Sequence, residues 1–170
     1  QYLYPLTIKR HFYQFIMKKI VPFFIYFVFS SAFLFAQTIE HKTLSPNGKI
    51  ELTFQLENGK PSYSVYYKGK MVIEKSSLGF KIKDMPDFGS AYTLLNGEKE
   101  SINQSWEPVW GETKTILNNY NSIKFTLNDN APKPHTLVIV FKVYNDGVGF
   151  RYEFPEQPNL MHFIVEEELS

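Results

Sequence analysis

The sequence predicts an all-β protein, an antiparallel β-sandwich preceded by a signal-peptide helix. Three observations predict it. From Gln37 onward apolar side chains recur with a period of two, the mark of half-buried strands. Turn signals at Asn58-Gly59, Gly69 and Asp146-Gly147 separate these runs. No segment after Gln37 carries the 3.6-residue period of an amphipathic helix. Composition agrees with this. The chain holds 16 Phe, 11 Tyr and 2 Trp, side chains that fit a pleated, half-buried surface. Its 170 residues correspond to one domain or part of one, and 44% hydrophobic content is enough for a sizeable core.

The elements follow in order. "KIELTFQL" places Ile50, Leu52, Phe54 and Leu56 on one face and Lys49, Glu51, Thr53 and Gln55 on the other. Asn58-Gly59 then turns the chain into "PSYSVYY", with Tyr63, Val65 and Tyr67 on one face. After Gly69, "MVIEKSSLGFKI" reads as one strand with an irregularity at Ser76-Ser77. The stretch from Asp84 to Gly97, with Pro86, Gly89 and Gly97, reads as loop. "SIKFTL" aligns Ile123, Phe125 and Leu127. "NDNAPKPH" is a second loop. "TLVIVFKVY" is apolar on both faces in its first half, which predicts a central strand. "VGFRYEF" returns with Val148, Phe150, Tyr152 and Phe154 together. "HFIVEEELS" reads as a further strand just starting, whose partner is expected beyond Ser170, so residues 37–170 read as an incomplete domain.

The N-terminal part reads as an address. "MKKIVPFFIYFVFSSAFLFAQ" runs from Met17: two lysines, an apolar run, then small residues and an expected cut after Ala36. That is the layout of a secretory signal, over residues 17–36. A membrane anchor is the competing reading, but Pro22 and the Ser30-Ser31 pair interrupt the apolar run. Residues 1–16 read as translated upstream sequence. Because Lys9, Arg10, Lys18 and Lys19 face no acid in the first 36 residues, the rest carries 14 basic against 17 acidic side chains. Such a mildly acidic body gives no electrostatic reason to bind nucleic acid. With no cysteine, disulfides, thiolate metal sites and thiol nucleophiles are excluded.

The stretch "SWEPVWGETKTILNNYNSIKFTL" raises the functional question. It holds both tryptophans, Trp106 and Trp110, with Pro108 and Gly111 between and after them and Glu107 and Glu112 beside them. Aromatic faces on a rigid loop suit sugar rings or a protein interface, and a carboxylate can accept a sugar hydroxyl. The bland alternative is that both tryptophans plug one end of the sandwich. Glu166, Glu167 and Glu168 cannot converge on one cation, since neighbours on a strand point to opposite faces. The histidines, His11, His41, His135 and His162, show no metal-ligand spacing and no nucleophile motif. In "NDGVGFRYEFP", Arg151 and Glu153 read as the polar face of a hairpin. Asn103-Gln104-Ser105 fits a glycosylation acceptor, a short and unspecific pattern.

Three runs in order, "SPNGKIELTFQLENGKPSYSVYYKGKMVIEKSSLGFKI", "WEPVWGETKTILNNYN" and "FKVYNDGVGFRYEFPEQ", resemble the N-terminal domain of glycoside hydrolase family 97, from about Leu44 to Ser170. The resemblance implies part of a β-super-sandwich of the galactose-mutarotase-like kind, followed by a catalytic (β/α)8 barrel and a small C-terminal β domain. It implies a parent that is an exported, periplasmic α-glucosidase or α-galactosidase of a Gram-negative bacterium, acting on α-linked oligosaccharides. It places the catalytic carboxylates on the barrel and the sandwich's calcium-binding glutamate beyond Ser170. No catalytic residue and no metal ligand therefore carry over to this chain. Calcium is expected in a glucosidase-type parent and not on residues 37–170. The barrel of the same chain is the expected partner, with no nucleic acid and no stable membrane insertion after signal cleavage. Trp106, Trp110 and Glu112 are the candidates to face that barrel or its substrate. The alternative is a stand-alone carbohydrate-binding or structural sandwich.

Overall fold

A computed structural model describes residues 38–169; the expected signal-peptide helix lies outside the described residues. Ten strands and no helix make up the described part. Strands β1 (Thr38–Leu44), β2 (Ile50–Glu57), β3 (Lys60–Tyr67) and β4 (Lys70–Ser77) form one antiparallel sheet in sequence order. Strands β6 (Tyr92–Trp106), β7 (Ile116–Asp129), β8 (Thr136–Tyr144) and β9 (Val148–Glu153) form a second, again in sequence order. A third, two-stranded sheet joins β5 (Phe80–Ile82) to β10 (Val165–Glu168).

The two large sheets pack face to face because each presents an alternating apolar row. Leu52, Phe54 and Leu56 of β2 meet Ile123, Phe125 and Leu127 of β7 and Leu137, Ile139 and Phe141 of β8 in one core. Phe54 stacks on Phe125 with ring centroids 3.9 Å apart, and Tyr63 and Phe150 extend the aromatic cluster around Phe141. β8 is central, and Leu137 through Phe141 are all buried, as a strand apolar on both faces requires.

Both early turns have the expected chemistry. Asn58 and Gly59 have φ of 51° and 74°, and Lys68 and Gly69 have φ of 51° and 76°, the two positive values of a type I′ hairpin. Gly59 has a second reason to be glycine. A Cβ there would lie 2.8 Å from the Ala91 Cβ and the Tyr92 nitrogen.

Several expectations are corrected. The loop expected from Asp84 to Gly97 ends earlier: β6 begins at Tyr92, with a bulge between Leu94 and Asn96 that disguises its period. β1 and most of β6 lack a clean apolar alternation, because β1 is a half-exposed edge and β6 is largely exposed beyond Leu94. The run expected as one strand from Met71 to Ile82 is two. β4 stops at Ser77, Gly79 takes φ of 136°, and β5 leaves for another sheet. The closing strand, whose partner was expected further along, pairs backward with β5, Val165 opposite Ile82 and Glu168 opposite Phe80.

Candidate functional site: an exposed tryptophan arm

β6 and β7 form a long hairpin, in register from Tyr92 opposite Asp129 to Trp106 opposite Ile116. β8 accompanies β7 only between Tyr120 and Asn128. From Asn103 to Asn119 the hairpin therefore has no third strand beside it in this sheet, and it projects as a two-stranded arm. Its stem is polar on both faces, with Asn103, Gln104, Ser105, Asn118 and Asn119, which suits a ribbon solvated on both sides. Its root is tied down. Asn121 Nδ2 donates to the Leu44 carbonyl at 2.7 Å, Ser101 Oγ donates to Asn121 Oδ1 at 2.7 Å, and Lys99 Nζ donates to the Lys42 carbonyl at 3.0 Å.

The tip is apolar and open. Trp110 is 88% exposed, Trp106 53%, Val109 100% and Leu117 75%. The reading in which the tryptophans plug the sandwich is overturned: among the described residues neither enters a ring pair, and neither belongs to a core cluster. Trp106 is the last residue of β6, so only residues 107–115 form the connecting loop. Gly111 holds φ of 141°, a region open to glycine and costly for other residues. Glu107 and Glu112 are exposed on this loop. Val109 and Leu117 were not singled out from sequence; isolated aliphatics give no signal until the fold leaves them uncovered.

A second constellation lies elsewhere. Asp129 and His135 form a buried pair, Oδ2 to Nδ1 at 2.8 Å. Asp129 Oδ1 also accepts from the His135 nitrogen at 2.8 Å and the Ala131 nitrogen at 3.3 Å, and Oδ2 from the Gly89 nitrogen at 3.3 Å. His135 borders a cavity of about 400 Å³ with Phe88, Pro132 and Lys133, while the Asp129 side chain lies behind it, fully buried. Among the described residues no Ser or Thr hydroxyl lines that cavity for the imidazole to activate. The pair is a staple that folds loop 130–135 back on itself. Nothing in the spacing of Asp129 and His135 along the chain marks the pair. Above the staple, Tyr92 is buried with its hydroxyl lacking a hydrogen-bond partner among the described residues. Burial first, then the Asp129 charge and Tyr152, push its pKa well above the usual phenol range.

Residues 44–170 match the family model described as glycosyl-hydrolase 97 N-terminal. The chain belongs to this family. Solved structures agree with the sandwich. The chain is similar to a glycoside hydrolase family 97 enzyme from Pseudoalteromonas sp. strain K8 in complex with panose, at 34% identity and a TM-score of 0.71, covering 76% of this chain and 20% of that one. The same enzyme in complex with acarbose gives 34% identity and a TM-score of 0.71, over 75% of this chain and 19% of that one. A β-arabinopyranosidase is similar at 25% identity and a TM-score of 0.66, over 76% and 20%. The chain thus spans about a fifth of the length of these relatives. Among the described residues of the glycosyl-hydrolase 97 N-terminal sandwich, no group of three or more His, Asp or Glu side chains could hold a metal ion. Glu167 instead pairs with Lys81 across the small sheet.

Proposed function

We propose that this chain is the non-catalytic N-terminal part of an exported glycoside hydrolase, and that the tryptophan arm docks on the barrel that carries the catalytic carboxylates, beside its substrate mouth. The exposed tip carries this reading. Two tryptophans, a valine and a leucine held open at the end of a two-stranded ribbon are costly in water and suited to a buried junction. The polar stem lets the arm cross solvent before its tip meets a partner. Glu107 and Glu112 lie beside the indoles, where a carboxylate can accept a sugar hydroxyl or a backbone N–H.

The parent's reaction is proposed as hydrolysis of an α-glucoside or α-galactoside; the α-glucoside is supported by the enzyme at 34% identity that was seen with panose and acarbose. Calcium is proposed for a glucosidase-type parent, held by residues outside 38–169. Export to the periplasm is supported by the signal-like run from Met17.

The test is Trp110→Ala in the complete enzyme. Docking predicts a fall in kcat/KM of roughly tenfold or more, or a lowered melting temperature, since a buried interface tryptophan is a common hot spot. Unchanged kinetics together with unchanged melting would contradict it. A stand-alone sugar-binding role predicts instead that maltooligosaccharides alter the tryptophan fluorescence of this chain.

A further inference from the structure

We infer that Asn96 is a site of self-modification, at which the chain converts its own asparagine to aspartate and isoaspartate through a cyclic imide. The sequence holds three Asn-Gly pairs, at Asn47-Gly48, Asn58-Gly59 and Asn96-Gly97. By sequence all three are equal, because glycine leaves the following nitrogen unhindered. The fold makes them unequal.

At Asn96 the reacting groups are already together. The Gly97 nitrogen donates to Asn96 Oδ1 at 2.8 Å, so the amide carbon is one bond from the atom that the nitrogen touches. A small rotation of the side chain brings that carbon onto the nitrogen, the proximity that favours ring closure. Asn96 Nδ2 also donates to Glu98 Oε1 at 2.8 Å, which fixes the side-chain amide beside the Gly97 nitrogen. The pair is exposed and follows a bulge where the β6–β7 register shifts, so the backbone has room to yield.

The other two pairs are held away from reaction. Asn47 Oδ1 accepts from Ser45 Oγ at 2.8 Å and from the Lys49 nitrogen at 3.0 Å, which turns the amide from Gly48. Gly59 is wedged against Ala91 and the Tyr92 backbone, and its carbonyl accepts the Tyr92 N–H at 2.7 Å. The type I′ turn at Asn58 cannot rearrange without breaking that contact.

The chemistry balances without a co-reactant other than water. The Gly97 nitrogen loses its proton to solvent and bonds to Asn96 Cγ; Nδ2 takes a proton from water, the Cγ–Nδ2 bond breaks and ammonia leaves. Water then adds at either imide carbonyl, giving aspartate or isoaspartate. Isoaspartate lengthens the backbone by one atom near the start of β6, just after its bulge, and the new carboxylate stands against Glu98.

The experiment ages the full-length folded protein in mildly alkaline buffer and maps it by tryptic digestion and mass spectrometry. Each pair falls in a separate tryptic peptide that contains no other asparagine. The expected result is conversion at Asn96 at least several-fold faster than at Asn47 or Asn58, with equal rates once the chain is unfolded in urea. Gly97→Ala should suppress it without lowering the melting temperature. Its backbone is outside the left-handed region, and the added Cβ would meet Phe125 at 3.6 Å, an ordinary contact. Conversion in the folded protein that is no faster at Asn96 than at the other two would overturn the inference, as would undiminished conversion in Gly97→Ala.

Discussion

Asp129 is fully buried and its carboxylate accepts four hydrogen bonds, two of them from His135. Removing it strands these donors in a dry site, so Asp129→Ala should cost about 3 kcal/mol, read as a shift in the urea midpoint. A loss under about 1 kcal/mol would show that loop 130–135 folds without the staple. Tyr92 makes an opposite prediction, because among the described residues its buried hydroxyl has no partner to lose. Tyr92→Phe should be close to neutral at pH 7. At high pH the two proteins should part. The folded state holds the Tyr92 proton more tightly than the unfolded chain. Stability is therefore full below the unfolded phenol pKa of about 10 and falls as pH rises above it. Melting temperatures from pH 8 to 11 should fall less steeply for Tyr92→Phe than for the parent. Neither residue was legible in the sequence. A buried Asp and Tyr look like surface residues until the loop that covers them is known.

At the scale of elements, the strands with clean alternation were legible and the others were not. β2, β3, β7 and β8 bury one or both faces and β9 half-buries Val148, Phe150 and Tyr152, so their sequences carry the period. β6 is exposed over most of its length, so nothing selects an apolar face, and its glycine and bulge read as loop. The split between β4 and β5 was only half visible, because the two serines mark the bend while Gly79 makes it. The turns permit a matched test. Gly59 and Gly69 both hold positive φ, but only Gly59 is crowded by backbone. Gly69→Ala should cost about 1 kcal/mol from the left-handed conformation alone. Gly59→Ala should cost roughly 3 kcal/mol or more, since the backbone of Ala91 and Tyr92 must also move. Equal losses by thermal melting would mean that the contact with Ala91 yields freely.

For the whole molecule, the sandwich is built to hold one long hairpin. β7 is both the core strand that carries Ile123, Phe125 and Leu127 and the return strand of the arm. The same strand that anchors the core therefore fixes where Trp106 and Trp110 stand. The tryptophan stretch was visible as odd in the sequence, but its exposure was not, since period and composition do not say where a sheet ends. The arm is proposed to be a docking element. The most direct measurement is amide hydrogen exchange over residues 101–117 in the complete enzyme. A docked arm predicts slow exchange there, abolished by Trp110→Ala. Exchange as fast as that of a free two-stranded ribbon, with no response to Trp110→Ala, would contradict it.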